Sequence, residues 1–281
     1  MNKQSVDVSA PIGVFDSGVG GLTVLNEIHR HLPLENTIYL GDTARVPYGI
    51  RTPDTVKRYS LESGSFLFQL GIKLLVIACN TVSAISLDLI SRRFPIPVIG
   101  VIAPGSKAAM NAPAYYNRVG VIGTETTIKS GAYKRQIHTL NSNTEVIEMA
   151  CPLFVPLVEE GWFDGPIAEA ITMEYLKNMA QIKIDALVLG CTHYPLLKRV
   201  IQTVVGNNTL LVDSAIETAK MVKGTLDNMG VLNSNKATAA LRKYYVTDGP
   251  ERFIAIGKRF LTEPIKDVEL IDINCLEIAP D

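Results

Sequence analysis

Uninterrupted apolar runs alternate along the chain with segments that carry apolar residues at helical spacing. Such runs are typical of parallel strands buried on both faces, and the amphipathic segments are typical of the helices that cover them. In the first part of the chain the order is β-α-β-α-β-α-β, which indicates a doubly wound parallel sheet. The predicted strands lie at 12–15, 37–42, 74–79 and 97–101, and the predicted helices at 22–32, 53–71 and 81–94.

The same pattern then begins again. Strands are predicted at 119–124, 144–149 and 186–191, and helices at 126–140 and 165–181. Ile12 and Val119 are 107 positions apart, Cys79 and Cys191 are 112 apart, and this near-constant offset suggests an internal duplication. We therefore predict an α/β fold with two similar doubly wound parallel-sheet domains related by a pseudo-twofold axis, and an active site in the cleft between them.

The last part of the chain predicts a strand at 210–214, a helix at 216–229, a strand at 244–247, a helix at 250–261 and a strand at 268–273. None of these strands ends in a cysteine, so we expect the segment to return and complete the first domain. The predicted domains are residues 1–103 together with 213–281, and residues 104–212.

Composition and charge narrow the choice of partner. Lysine and arginine total 27 and aspartate and glutamate total 28, so a net charge of -1 gives no reason to expect nucleic acid or an anionic membrane. A small molecule is the default ligand.

The first ten residues are polar and no run approaches the roughly 18 apolar residues of a membrane span, so we expect a cytoplasmic protein. The four cysteines lack zinc-type spacing, which predicts free thiols and no metal.

Cys79 and Cys191 are the main candidates for chemistry. Each closes an apolar strand and is followed by a polar pair, Asn80–Thr81 or Thr192–His193, that is predicted to begin a helix. Ligands of open α/β sheets bind at the carboxyl ends of strands, and a helix N-terminus lowers the pKa of a thiol, as a base requires. A single buried cysteine is more often a small core residue. Two at corresponding strand ends favour the hypothesis that the thiols face each other.

A glycine-rich turn, Asp16-Ser17-Gly18-Val19-Gly20-Gly21, follows the first strand. The dinucleotide pattern G-x-G-x-x-G needs a glycine where Thr23 stands, and the chain has no Gly-Lys-[Ser/Thr] for a P-loop. The turn therefore indicates either a backbone nest for a small anion such as a carboxylate or a plain tight turn.

Three further side chains are candidates near the predicted cleft. His193 either caps a helix or donates a proton, Asp16 ends the first strand, and one of the adjacent Glu159 and Glu160 could be an acid of the site, although such a pair also fits a solvated face. The remaining cysteines and histidines are predicted to be structural or solvated, namely Cys151, Cys275, His29, His31 and His138.

Five segments in this order resemble the motif series of bacterial glutamate racemases, of the aspartate/glutamate racemase superfamily. They are Phe-Asp-Ser-Gly-Val-Gly-Gly-Leu at 15–22, Gly-Asp-Thr-Ala-Arg-Val-Pro-Tyr-Gly at 41–49, Ala-Cys-Asn-Thr at 78–81, Cys-Pro-Leu-Phe-Val-Pro-Leu-Val-Glu at 151–159, and Leu-Gly-Cys-Thr-His-Tyr-Pro at 189–195. The similarity extends from about residue 12 to 215, which is most of the chain.

The resemblance implies racemisation of glutamate without a cofactor by two opposed cysteines, one a thiolate base and the other a thiol acid. It implies that Cys191 deprotonates L-glutamate and Cys79 deprotonates D-glutamate, that Asp16 and His193 assist their respective cysteines, and that Glu159 is a further acid of the site. The implied substrate-binding residues are Asp16, Ser17, Pro47, Tyr48, Gly49, Cys79, Asn80, Thr81, Thr124, Cys191, Thr192 and His193. The family also implies D-glutamate for peptidoglycan synthesis, a homodimer and, in some members, activation by a murein precursor.

Three other functions are compatible with parts of this pattern. A racemase of the same superfamily acting on aspartate or hydantoins would share both cysteines, but such enzymes resemble this chain less at His193 and at Pro47-Tyr48-Gly49. A two-domain amino-acid-binding module would have the same architecture without needing thiols. A cysteine hydrolase would use one cysteine with a histidine, and the second thiol would be unexplained.

Overall fold

The computed structural model describes residues 7–111 and 117–273 of the 281-residue chain. Cys275 and residues 1–6 of the polar leader lie outside the described residues. The strands, in chain order, are β1 (Ile12–Asp16), β2 (Thr37–Gly41), β3 (Leu74–Ile77), β4 (Val98–Gly100), β5 (Arg118–Gly123), β6 (Glu145–Ala150), β7 (Ala186–Gly190), β8 (Leu210–Val212), β9 (Arg242–Val246) and β10 (Val268–Leu270).

These strands form two separate parallel sheets. The first has the order β10-β9-β2-β1-β3-β4 and the second has the order β6-β5-β7-β8. Both sheets thus arrange their first four strands as second, first, third and fourth. The predicted class of two parallel-sheet α/β domains is confirmed. The last strands, β9 and β10, extend the first sheet beside β2, and the domain boundaries at 103/104 and 212/213 stay a proposal.

Helices connect the strands and cover both sheets. Strands β1, β2, β3 and β7 are buried along their whole length, as unbroken apolar runs require. The helices are α1 (Leu22–His31), α2 (Pro53–Gln69), α3 (Asn80–Arg93), α4 (Ile102–Met110), α5 (Glu125–Ser130), α6 (Ala132–Leu140), α7 (Phe154–Glu159), α8 (Gly165–Ile182), α9 (Lys198–Val205), α10 (Ser214–Met229) and α11 (Pro250–Gly257).

Several local predictions are wrong. The predicted helix 126–140 is two helices, α5 and α6, because Gly131 adopts a left-handed conformation with φ 62° between them. Helices α4 and α7 form where no helix is predicted. Thr192 and His193 do not begin an α-helix as predicted: a single 3₁₀ turn, Tyr194–Leu197, with Pro195 in it, separates them from α9.

The surroundings of His29 also differ from the prediction of a solvated side chain. His29 is 5% exposed and its Nε2 lies 3.0 Å from Thr37 Oγ1 at the start of β2. Burial, and next the charge of Arg242, lower the pKa of His29 to about 3, so its ring is neutral at physiological pH. The error arises because α1 buries both its apolar face and part of its polar face against the rest of the first domain.

Candidate active site

The two cysteine strands hold equivalent places in their sheets. β3 lies between β1 and β4, and β7 lies between β5 and β8. Cys79 comes two residues after the end of β3 and Cys191 directly follows β7. Both thiols are free and buried, with exposures of 5% and 7%. They occupy the carboxyl ends of parallel strands, where ligands of such sheets bind.

Both cysteines line one small cavity between the two sheets. Its walls also contain most of the residues that the sequence resemblance implies for substrate binding. The lining residues are Ser17, Val46, Pro47, Tyr48, Gly49, Cys79, Asn80, Thr81, Thr124, Val155, Cys191, Thr192 and His193. Asp16 and Glu159 do not line it: Glu159 contacts the wall residue His193, and Asp16 accepts from the amide of Gly18, which follows the wall residue Ser17.

The cavity is smaller than an amino acid. Its volume is about 30 Å³, which holds about two water molecules. A second pocket of about 350 Å³ adjoins it and includes Glu159. The two share five wall residues, Val46, Pro47, Gly49, Thr124 and Val155. The inner cavity therefore does not hold a whole amino acid by itself, and the adjoining pocket extends it.

Cys79 is in an apolar and partly acidic environment. It is the N-cap residue of α3, and its thiol donates to Ser17 Oγ at 3.5 Å. The helix N-terminus was expected to lower the pKa of Cys79, and this prediction is wrong. Burial, and next the charge of Asp16, raise that pKa to about 12, so Cys79 is a thiol at neutral pH. Burial also raises the pKa of Asp16. The Asp16 carboxylate accepts a hydrogen bond from the Gly18 amide at 2.9 Å.

Cys191 is next to a histidine. Its sulfur lies 3.9 Å from His193 Nδ1, and His193 Nε2 lies 3.1 Å from Glu159 Oε1. Burial alone would lower the pKa of His193, but its hydrogen bonds to Cys191 and Glu159 raise that pKa to about 10. At neutral pH His193 is therefore an imidazolium, and its positive charge lies beside the Cys191 sulfur. The two thiols thus have opposite electrostatic surroundings.

The adjacent glutamates have different neighbours. Glu159, the last residue of α7, reaches His193, whereas Glu160 is exposed and its Oε1 lies 3.5 Å from Arg252. Burial alone would raise the pKa of Glu159, but the hydrogen bond and charge of His193 lower it, with a smaller effect of Arg252. Glu159 is therefore a carboxylate that faces an imidazolium.

Arg259 and Phe260, which follow α11, contact the pair formed by His193 and Glu159. Neither residue belongs to a recognised sequence motif. Arg259 donates to the backbone carbonyl oxygens of Val158 and Glu159, which end α7. The ring of Phe260 stands edge-on to the ring of His193, with 5.5 Å between the centroids and 82° between the planes. The C-terminal segment, which was predicted only to complete the first domain, thus also contacts His193 and Glu159.

The glycine-rich turn contacts the opposite half directly. A Cβ atom on Gly20 would collide with Thr192 Oγ1 and would lie 2.6 Å from His193 Nδ1. A Cβ atom on Gly49 would lie 2.5 Å from Thr124 Cβ. Glycine is thus required at both positions, because the backbone of loops that follow strands of the first sheet lies against side chains that follow strands of the second sheet.

Hydroxyl groups also join the halves across the cavity. Thr81 Oγ1, at the start of α3, lies 3.0 Å from Thr124 Oγ1 and 3.2 Å from Thr127 Oγ1. The hydroxyls of Thr124 and Thr127 are 2.9 Å apart. Since Thr81 and Thr124 line the cavity, they can exchange these mutual hydrogen bonds for bonds to a ligand carboxylate.

The loop 47–49 is held by a buried carboxylate that the sequence patterns do not single out. Tyr48 and Arg45 both donate to Asp42 Oδ2, and Thr247 donates to Asp42 Oδ1 at 2.8 Å. Asp42 has no exposed surface. Tyr48 therefore lines the cavity with its hydroxyl already bonded, and the loop is tied to the end of β9.

The third described cysteine is not part of the site. Cys151 is buried, and its Sγ lies 3.9 Å from the carbonyl oxygen of Met149. Across residues 7–111 and 117–273, no three His, Cys, Asp or Glu side chains are grouped so that they could hold a metal ion. In the same part of the chain, no helix is long and apolar enough to cross a membrane.

Comparisons with known proteins agree with the motif resemblance. The family model for Asp/Glu/Hydantoin racemase matches residues 12–222. The glutamate racemase of Geobacter metallireducens is 52% identical over 263 residues, which are 94% of this chain and 97% of that protein.

Solved structures extend the agreement to three dimensions. The crystal structure of Francisella tularensis glutamate racemase in complex with D-glutamate matches with a TM-score of 0.90 and 39% identity over 96% of this chain and 100% of that chain. The structure of Escherichia coli glutamate racemase with L-glutamate and the activator UDP-MurNAc-Ala matches with a TM-score of 0.74 and 26% identity, over 93% and 98% of the two chains. The chain therefore belongs to the Asp/Glu/Hydantoin racemase family and, within it, to the glutamate racemases.

Proposed function

We propose that this glutamate racemase works without a cofactor and uses Cys79 and Cys191 as two bases on opposite faces of the α-carbon. The observation that carries the proposal is the pair of buried free thiols that line one cavity from equivalent strand ends. Racemisation removes a proton from one face and returns a proton to the other. Two groups of the same chemical kind can do this in both directions at one pH.

In the L-to-D direction Cys191 starts as a thiolate and Cys79 as a thiol. The Cys191 sulfur takes the α-proton, and the electron pair of the broken Cα–H bond is delocalised into the α-carboxylate. Cys79 then donates its proton to the opposite face of the carbanion. The products are D-glutamate, a Cys191 thiol and a Cys79 thiolate, which is the state that the D-to-L direction requires. His193 assists Cys191 and Asp16 assists Cys79.

The carbanion needs hydrogen-bond donors that are already in place before charge develops. We assign this role to the backbone amides of the glycine-rich turn and to the side chains that line the cavity. The proposed substrate contacts are Ser17, Asn80, Thr81, Thr124 and Thr192, with Pro47, Tyr48 and Gly49 as a wall. Asp16 and Glu159 act from behind the wall through their neighbours.

The absence of a cofactor requirement has a direct test. Enzyme that has been treated with EDTA and dialysed should racemise L-glutamate at the rate of untreated enzyme, followed by the decay of optical rotation. Activity that is lost on this treatment and restored by a metal ion or an organic cofactor would contradict the proposal.

Replacing Glu159 by glutamine should change the pH dependence. Both directions need a proton on His193, so kcat/KM falls as the pH rises through the pKa of His193, which is about 10. Glu159 contributes to raising that pKa. Hydrogen bonds to charged groups contribute about 1.5–3 kcal/mol, and one pKa unit corresponds to about 1.4 kcal/mol, so Glu159→Gln should move the alkaline limb down by about one to two pH units.

Glu160→Gln is the matched control, because Glu160 is adjacent, exposed and does not contact His193. Its pH profile of kcat/KM should coincide with that of the wild type. Titration of the substrate amino group affects all three enzymes equally and cancels in the comparison. Equal shifts in both variants, or no shift in Glu159→Gln, would refute the role of Glu159.

We further propose that the enzyme is a cytoplasmic homodimer and that its product, D-glutamate, is used for peptidoglycan synthesis. The support is the close similarity to bacterial glutamate racemases. Because the Escherichia coli relative was crystallised with UDP-MurNAc-Ala as activator, a murein precursor of this kind is the first ligand to test for activation.

A further inference from the structure

Tyr133 connects the two cysteine-bearing strand ends and belongs to none of the recognised motifs. It is the second residue of α6, immediately after the break at Gly131, and its side chain is 1% exposed. Its hydroxyl donates a hydrogen bond of 2.7 Å to Oδ1 of Asn80, the residue that follows Cys79. The bond crosses from the second half of the molecule to the first.

The ring of Tyr133 packs against the other cysteine strand. A Cβ atom on Gly190, the residue before Cys191, would lie 3.0 Å from Cε2 of Tyr133. A Cβ atom on Gly105 of α4 would lie 3.4 Å from the Tyr133 hydroxyl oxygen. Glycine at both positions leaves the space that the tyrosine fills. One side chain thus touches the residue before Cys191 and the residue after Cys79.

The hydrogen bond fixes the direction in which the Asn80 amide points. A side-chain amide has one acceptor oxygen and two N–H donors. The Tyr133 hydroxyl donates to the oxygen of Asn80 and thereby occupies it, and because burial raises the pKa of Tyr133 this proton stays on the hydroxyl. The N–H donors of Asn80 then remain for the cavity that this residue lines. A reversed amide would place its oxygen against a carboxylate, which is repulsive.

We propose that Tyr133 is a positioning residue that holds the Asn80 amide with its N–H donors towards a carboxylate of the bound glutamate. This inference rests on the proposed function, because it assumes that Asn80 binds the substrate. Tyr133 itself does not line the cavity and acts through Asn80.

The variant Tyr133→Phe keeps the ring and removes only the hydroxyl. We expect KM for glutamate to rise about tenfold with kcat within about twofold of the wild type, because the contact is made equally to substrate and transition state. L- and D-glutamate have equal free energies, so kcat/KM must remain equal in the two directions, which checks the measurement internally. A purely structural role would lower the folded fraction without changing KM.

A double-mutant cycle tests whether Tyr133 acts through Asn80. In the Asn80→Ala background, Tyr133→Phe should cause no further rise in KM, because the group that it orients is gone. The matched control is Tyr245→Phe, the same chemical change at a buried tyrosine of β9 that packs on Phe66. Its kcat and KM should equal those of the wild type.

Two results would overturn the inference while leaving the proposed function intact. One is a KM for Tyr133→Phe within twofold of the wild type. The other is an equal rise in KM caused by Tyr133→Phe in the wild-type and Asn80→Ala backgrounds. If the wild type itself failed to racemise glutamate, the proposed function would fail instead, so the two failures are distinguishable.

Discussion

Replacing Cys79 by serine should reduce racemisation in both directions by about 10²–10⁴-fold, the usual contribution of a positioned acid or base. The variant lacks the proton donor for the face opposite Cys191. Cys191 and His193 remain in place, so the Cys191 thiolate can still remove and return the α-proton of L-glutamate on one face. In deuterated water we therefore expect deuterium to enter L-glutamate without inversion, measured by NMR at the α-position.

The control for Cys79→Ser is Cys275→Ser, which also removes a thiol and should leave racemisation unchanged. Cys79→Ser enzyme that racemises at the wild-type rate would remove the two-base claim. Exchange of the α-proton of D-glutamate by this variant would also contradict the assignment of Cys79 to the D face.

Replacing Cys191 by serine should reduce racemisation by a similar factor. The α-proton exchange that remains should affect the other enantiomer than in Cys79→Ser. Only Cys79 is then available as a base, so exchange should be confined to D-glutamate. Because the pKa of Cys79 is about 12, its thiolate is scarce at neutral pH. The exchange rate should therefore rise as the pH is raised towards that value, whereas exchange of L-glutamate by Cys79→Ser should already be present at neutral pH.

The pH dependence of exchange distinguishes the roles of the two cysteines better than the loss of racemisation does, because both variants lose racemisation. Exchange assays of both variants between about pH 7 and pH 10 give the comparison. Exchange of L-glutamate by Cys191→Ser, or a D-glutamate exchange rate that does not increase with pH, would show that the two thiols are assigned wrongly.

Much of the fold could be predicted because a buried parallel strand is encoded by a continuous run of apolar residues. β1, β2, β3 and β7 begin at their predicted residues and end within two residues of their predicted ends, since each is an unbroken apolar run between polar turns. The repeat of this pattern with a near-constant offset was enough to predict two similar sheets. The cysteines were identified for the same reason, because the carboxyl end of a strand is a position that sequence defines well.

The helices that were missed have weak local signals. α4 and α7 are short and each contains a proline in its first turn, Pro104 and Pro156, which is tolerated there but resembles a turn in the sequence. The break at Gly131 is invisible to apolar periodicity, because it redirects the chain without interrupting the pattern. Tertiary packing, rather than propensity, decides these segments.

The supporting contacts of the site could not be predicted at all. Tyr133 bonds to a residue 53 positions away, and Arg259 bonds to a residue 100 positions away. Glu159 and Glu160 are equivalent in sequence, and what distinguishes them is the direction of α7, since neighbouring residues on a helix point about 100° apart. Such relations arise only when the two sheets pack together.

The central claim is that two thiols act on opposite faces of one carbon. The most direct test is to incubate the wild-type enzyme with L-glutamate in deuterated water and to analyse both enantiomers early in the reaction. The product receives its proton from the Cys79 thiol, which has equilibrated with solvent before the substrate binds. We expect α-deuterium in essentially all of the D-glutamate and little in the remaining L-glutamate. D-Glutamate that keeps the α-hydrogen of the substrate would show that one base serves both faces and would refute the two-base mechanism.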